Sequence, residues 1–95
     1  MTSTKVIFRK DKKDNTIIAF FPELTAKYGH IACYDLMGEH GEATLEYYRK
    51  NTTKATEEEY QKLLNTLRVI GYNDLVIKQR MTTCDLVSMN MNRYL

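Results

Sequence analysis

The chain has no tryptophan, a single proline (Pro22), four glycines and two cysteines in 95 residues. Cys33 and Cys84 stand far apart and make no disulfide framework, so reduced thiols in a cytoplasmic setting are expected. No long apolar stretch occurs: the longest run, Ile17 to Phe21, has five residues, against the roughly 20 needed to cross a bilayer. The start, Met1-Thr2-Ser3-Thr4-Lys5, lacks the basic opening and apolar core of a signal peptide, so neither secretion nor a membrane is expected. With so little proline and a 27% charged fraction, the composition does not describe a disordered chain. Excess charge is missing too. Fourteen basic residues against twelve acidic leave +2, and a pI near 8.5 falls short of the value above about 9 usual for a dedicated nucleic-acid domain.

What is present is one small domain with 43% hydrophobic residues, expected over 1–80 with a tail over 81–95. The balanced charge hides an asymmetry: residues 1–15 carry +3, residues 16–48 carry −4, and residues 49–95 return to +3. Such a distribution can steer a partner, but it leaves the fold open.

Thr4 to Lys10 is rich in β-branched and aromatic residues, with Val6, Phe8 and Lys10 on one face of a strand and Lys5, Ile7 and Arg9 on the other. The polar run Asp11 to Asn15 and a second apolar run, Thr16 to Phe21, complete a hairpin that Pro22 ends. Ile31 to Leu36 predicts a third strand. Gly38-Glu39-His40-Gly41-Glu42 predicts a turn, and Ala43 to Arg49 a short strand with Thr44, Glu46 and Tyr48 opposite Leu45 and Tyr47.

Thr56-Glu57-Glu58-Glu59 has the form of a capping box, with Ala55 and Tyr60 at the staple positions around it. Tyr60, Leu63, Leu64, Leu67 and Ile70 then mark one apolar face at helical spacing, and Gly71 stands where a left-handed residue would close the helix. Asp74 to Arg80 predicts a further strand. The tail from Met81 has Leu86, Met89 and Arg93, or Val87, Met91 and Tyr94, at helical spacing; a short docked helix, a partner-binding arm and a frayed end all fit. The expected architecture is α+β: an antiparallel sheet of four or five strands with the Thr56 to Ile70 helix across one face. The expected core is Val6, Phe8, Ile18, Phe20, Ile31, Cys33, Tyr60, Leu63, Leu64, Leu67, Ile70, Leu75 and Ile77.

His30, Cys33 and His40 are the residue types of a metal site, with Cys84, Asp35 or Glu39 as a fourth ligand. Structural zinc uses two short-spaced pairs, and only His30-x-x-Cys33 is short, so no metal and no cofactor are expected. Cys33 or Cys84 with His40 has the composition of a nucleophile and base, but nothing in the spacing joins them to an orienting group. No nucleophile elbow, phosphate loop or His-Glu-x-x-His helix occurs, and the chain is not expected to be an enzyme.

The order Val6-Ile7-Phe8-Arg9-Lys10, Ile17 to Glu23, Gly38 to Ala43, Ala55 to Tyr60 and Ile70-Gly71-Tyr72-Asn73 resembles small proteins encoded by bacteriophages and prophages of gut bacteria. The resemblance covers about residues 5–80. The group brings no established activity, so it implies a setting: an accessory protein in the cytoplasm of a bacterial host. Seven tyrosines, three phenylalanines and five methionines favour protein contact, because tyrosine presents a large rigid face with a polar tip. The expected function is therefore a protein-binding module that modulates or inhibits a host protein, such as a defence enzyme. Its expected contact surface is Glu39, Glu42, Glu46, Tyr47, Tyr48 and Arg49. Two alternatives stand beside it. One is nucleic-acid binding through Arg9, Lys10, Lys12 and Lys13; the other is a structural homo-oligomer joined through edge strands or the tail.

Overall fold

A computed structural model of the chain describes residues 3–24, 26–35 and 40–88. The hairpin consists of β1 (Thr4–Asp11) and β2 (Ile17–Phe21), paired antiparallel with Ile7 opposite Phe20 and Phe8 opposite Ala19. Its turn is built by Asp11. The Asp11 carboxylate accepts from the backbone N–H groups of Lys13 at 2.7 Å and Asp14 at 3.2 Å, and Asn15 takes the left-handed conformation at φ 64°. Asparagine tolerates that region because its short polar side chain bonds locally.

Beyond β2 the sheet continues antiparallel through β3 (His30–Asp35) to β4 (His40–Thr44). On its other side β1 is flanked by two short strands placed end to end. β5 (Thr52–Lys54) runs antiparallel along Arg9–Asp11, and β6 (Leu75–Lys78) runs parallel along Thr4–Ile7. The architecture is α+β as expected, but among the described residues the sheet has six strands rather than four or five and is not wholly antiparallel. The β1–β6 pair is parallel, because the helix between β5 and β6 crosses the sheet and its closing turn sends the chain back alongside β1.

That helix is α2 (Glu57–Val69). Thr56 caps it in a complete capping box: its hydroxyl accepts from Glu59 N–H at 3.2 Å, and the Glu59 carboxylate accepts from Thr56 N–H at 2.9 Å. Gly71, at φ 121°, closes the other end. Its N–H donates to the Arg68 carbonyl and the Tyr72 N–H to that of Leu67, the paired bonds of a Schellman motif.

Ala43 to Arg49 departs from the expected strand. Residues 40–44 are the strand, including His40, Gly41 and Glu42 of the expected turn, while Leu45–Asn51 forms helix α1. Thr44 is its N-cap, accepting from Tyr47 N–H at 3.0 Å, and Leu45 and Tyr48 bury the same side three residues apart. A third helix, α3 (Thr83–Ser88), docks through Leu86.

Both faces of the sheet are therefore covered. Val6, Phe8, Ala19, Phe21 and Tyr34 pack under α2 with Leu63, Leu64 and Leu67. Ile7, Ile18, Phe20 and Ile31 pack on the opposite face under α1 and α3, against Leu45, Tyr48 and Leu86. Ile18, Phe20 and Ile31 are core residues, but on the face away from α2. Cys33, Tyr60 and Leu75 are half-buried, and Ile70 and Ile77 are exposed at 46% and 36%, outside the core expected for them. Ile70 is the residue on which α2 ends, and Ile77 stands on an edge strand. Leu36 of the expected third strand, Gly38 and Glu39 of the expected turn, and residues 89–95 of the tail lie outside the described residues.

Candidate functional site

Strands β5 and β6 run head-on toward Phe8 from opposite ends of β1, and at their meeting point the chain leaves the sheet on both sides. β5 turns up into α2, and β6 runs on toward α3. The result is a notch in the sheet edge. Above it lies a groove of about 570 Å³ lined by Phe8, Lys54, Ala55, Thr56, Glu57, Tyr60, Ile77 and Gln79. Its floor is aromatic: the Phe8 and Tyr60 rings stack at 4.3 Å between centroids, tilted by 10°. Tyr60 is held there as the staple partner of Ala55 across the helix cap. The Lys54 ammonium donates to the Gln79 side-chain carbonyl at 2.8 Å and bridges the two strand ends.

Outside the groove lining, next to Tyr60 on α2, Glu59 pairs with Lys10 at 2.5 Å. This ion pair, and next the Thr56 N–H, hold the Glu59 carboxyl below the usual carboxylate range. The groove thus offers an apolar aromatic floor, a neutral amide on its rim and an adjacent strand edge. These groups suit the binding of an extended apolar segment.

The expected contact surface does not assemble as a unit. Tyr48 is buried, with its ring edge on Phe20 at 5.1 Å and its hydroxyl accepting from Met81 N–H, so it is a core residue rather than an exposed anchor. Tyr47 is half-buried and donates its hydroxyl to the Asp11 carboxylate. Burial first, and then that bond, push the Tyr47 phenol well above its ordinary range. Glu42, Glu46 and Arg49 are exposed.

Strand parity separates Cys33 from His30 and His40, and the two histidines stand at opposite ends of the β3–β4 pair. Ala32 and Tyr34 of β3 pack toward α2, so His30 stands on their face and Cys33 on the other. His40, opposite Tyr34, packs its ring against that tyrosine and meets the Tyr72 hydroxyl at 3.0 Å. Asp35 shares the parity of Cys33, and Cys84 is exposed on α3. Among the described residues, no three of His, Cys, Asp and Glu gather as a metal would require. Burial, followed by the Asp35 and Glu42 carboxylates, pushes the Cys33 thiol up, the opposite of the depressed value that activates a nucleophile.

The basic run divides. The Arg9 guanidinium lies over the Tyr48 ring at 4.7 Å and donates to Thr52 Oγ1 and to the Thr52 and Tyr48 carbonyls. Lys10 is in its ion pair, while Lys12 and Lys13 are exposed at the hairpin tip. Lys54 and Gln79 carried no signal in the sequence, and Ala55 signalled only the helix cap, since the notch depends on where two strands end along a third.

Among the described residues no helix is long and apolar enough to cross a membrane. Comparison with protein-family models, curated proteins and solved structures finds no match for the chain.

Proposed function

We propose that the chain is a small binding protein that works by occupying a partner protein and performs no chemistry of its own. Its setting is the one its sequence resemblance implies, a phage-type accessory protein in the cytoplasm of a bacterial host. The partner is then a host protein, such as a defence enzyme, whose working surface is covered. One observation carries the reading: among the described residues β6 is an edge strand, whose Val76 and Ile77 are exposed at 37% and 36%, with Ile77 also lining the groove. Folded proteins commonly protect such an edge with charge, proline or a covering element. A strand of the partner adding to β6 gains backbone hydrogen bonds and places a side chain on the Phe8–Tyr60 floor.

The proposed surface therefore moves from Tyr47 and Tyr48, which the fold uses internally, to β6 and the notch. Affinity capture from a bacterial lysate, read by mass spectrometry, tests it with a Val76→Glu/Ile77→Glu variant whose circular dichroism matches the parent. The captured protein should bind the variant about 30-fold or more weaker, the loss expected if even one of the two residues is an anchor contributing about 2 kcal/mol. Full affinity in the folded variant refutes this surface. Capture of the chain by itself alone, with light scattering showing a stable oligomer, replaces partner occupation with self-assembly.

A further inference from the structure

Two basic stretches that are distant in sequence meet at one end of the molecule. The Lys12 N–H donates to the Asn51 carbonyl at 2.9 Å, and Asp11 pairs with Thr52, so the hairpin tip lies beside the last turn of α1 with Arg49 and Lys50. Lys12, Lys13, Arg49 and Lys50 are all exposed. Of the acidic residues of the same turn, Asp11 is half-buried, and Asp14 is exposed with its carboxylate engaged by the backbone. Asp11 accepts from two backbone N–H groups and from the Tyr47 hydroxyl, and Asp14 accepts from Thr16 N–H at 3.0 Å. The carboxylates shape the turn while the lysine ammonium groups extend into solvent. Among the described residues neither Lys12, Lys13 nor Lys50 enters an ion pair.

The geometry points to this end as a contact surface for the phosphate backbone of duplex nucleic acid, independent of the β6 edge and of the protein-contact reading. Three features favour phosphate over an acidic protein surface. The cations are mostly lysine, a point-charge phosphate ligand that protein interfaces deplete. No apolar anchor accompanies them: Tyr48 is buried and Tyr47 is tied to Asp11. A protein interface needs such an anchor, whereas a backbone contact does not. The acidic first turn of α2 and the exposed Glu42 on β4 repel a polyanion elsewhere, while Glu46, one turn before Lys50 on α1, bounds the patch on its own helix. With no exposed aromatic ring at the patch on which to stack a base, the contact is to the backbone and carries no sequence preference.

Fluorescence anisotropy of a labelled 20-base-pair duplex of mixed sequence, started at low salt, tests this. Three lysine contacts give a log–log salt slope of about −2.7, so raising salt from 50 to 200 mM weakens binding about 40-fold. Lys12→Gln/Lys13→Gln/Lys50→Gln should weaken binding at least tenfold at 50 mM salt and flatten that slope. Lys27→Gln/Lys62→Gln/Lys78→Gln, with the same net charge, should change it less than twofold. All six lysines are exposed, and thermal melts confirm that both variants are folded. No saturable binding at 20 mM salt overturns the proposal, and equal losses in the two variants reduce it to net charge. Polyglutamate competing as well as unlabelled duplex at equal charge shows that the patch takes an acidic polypeptide instead, which also overturns it.

Discussion

Truncating Leu67 separates the packed face of α2 from the positions that only continue its spacing. Leu67 is fully buried in the core cluster that also holds Val6, Phe8, Phe21 and Tyr34. Replacement by alanine removes three carbon groups, about 2.4 kcal/mol of transfer free energy at about 0.8 kcal/mol each. The cavity left in a close-packed layer raises the cost to about 2–5 kcal/mol. Ile70, one helical step further, loses the same three groups on alanine substitution but is 46% exposed and leaves no enclosed void. Its cost is about 1 kcal/mol. Urea unfolding followed by circular dichroism reads both. With an m-value near 1.5 kcal/mol/M, Leu67→Ala lowers the midpoint by roughly 1.5 M or more and Ile70→Ala by less than about 1 M. Equal shifts, or a Leu67→Ala shift under about 0.3 M, would mean that α2 packs by a different face.

The two ends of α2 give independent tests. Thr56→Ala removes the cap and should cost about 1 kcal/mol, seen as a melting temperature lower by about 4–8 °C, and no change would mean that another group caps the helix. Gly71→Ala meets no steric obstacle, since nothing lies within 4 Å of an added Cβ, yet it should destabilise by about 1 kcal/mol or more because φ is 121°. Asp85 accepts from Lys5 Nζ at 2.7 Å and from Thr82 N–H at 2.8 Å, so Asp85→Ala should cost about 1–3 kcal/mol. Hydrogen exchange should then show lost protection over residues 82–88 with α2 unchanged; uniform loss would contradict a local pin. The Glu59 carboxyl is lowered by Lys10 and then by the Thr56 N–H, and that of Asp11 by the Tyr47 hydroxyl and then by the Lys13 N–H. A folded pKa below the unfolded one gives stability that is complete above the ordinary carboxylate range and lost as pH falls through it, below about pH 4. Glu59→Gln should make that acid decline shallower, and an unchanged decline would refute the assignment.

The elements with local punctuation were legible in the sequence. The hairpin, α2 and its two caps follow from Asp11 to Asn15, from Thr56 with Glu59, and from Gly71, each of which acts within one turn of its own position. The second covered face departs from the single covered face expected, although a signal for it stands in the strands. Ile17 to Phe21 and Val6-Ile7-Phe8 are continuous apolar runs without alternation, the pattern of strands buried on both sides. A single helix cannot cover both faces, so α1 and α3 follow from that pattern. α1 itself was hidden by an ambiguity of spacing. Leu45 and Tyr48 fit a helix at a step of three, while Thr44, Glu46 and Tyr48 fit a strand at steps of two. Thr44 as an N-cap and the basic last turn decide for the helix.

Function-bearing groups were less legible because proximity in sequence is a poor guide to proximity across a sheet. Cys33 and His30 look like a short-spaced ligand pair, but an odd separation within a strand places them on opposite faces. Arg9, Lys10, Lys12 and Lys13 look like one basic grip. The fold spends the first two, Arg9 on the Tyr48 ring and the Thr52 carbonyl, Lys10 on Glu59, and joins the other two to Arg49 and Lys50. The division has a physical cause. Arg9 and Lys10 lie where β5 covers β1, so their charges must find partners close to the sheet. Lys12 and Lys13 lie beyond the last strand pair, exposed and, among the described residues, outside any ion pair. A charge that the fold does not use remains available to a ligand, and the duplex titration measures it at those lysines.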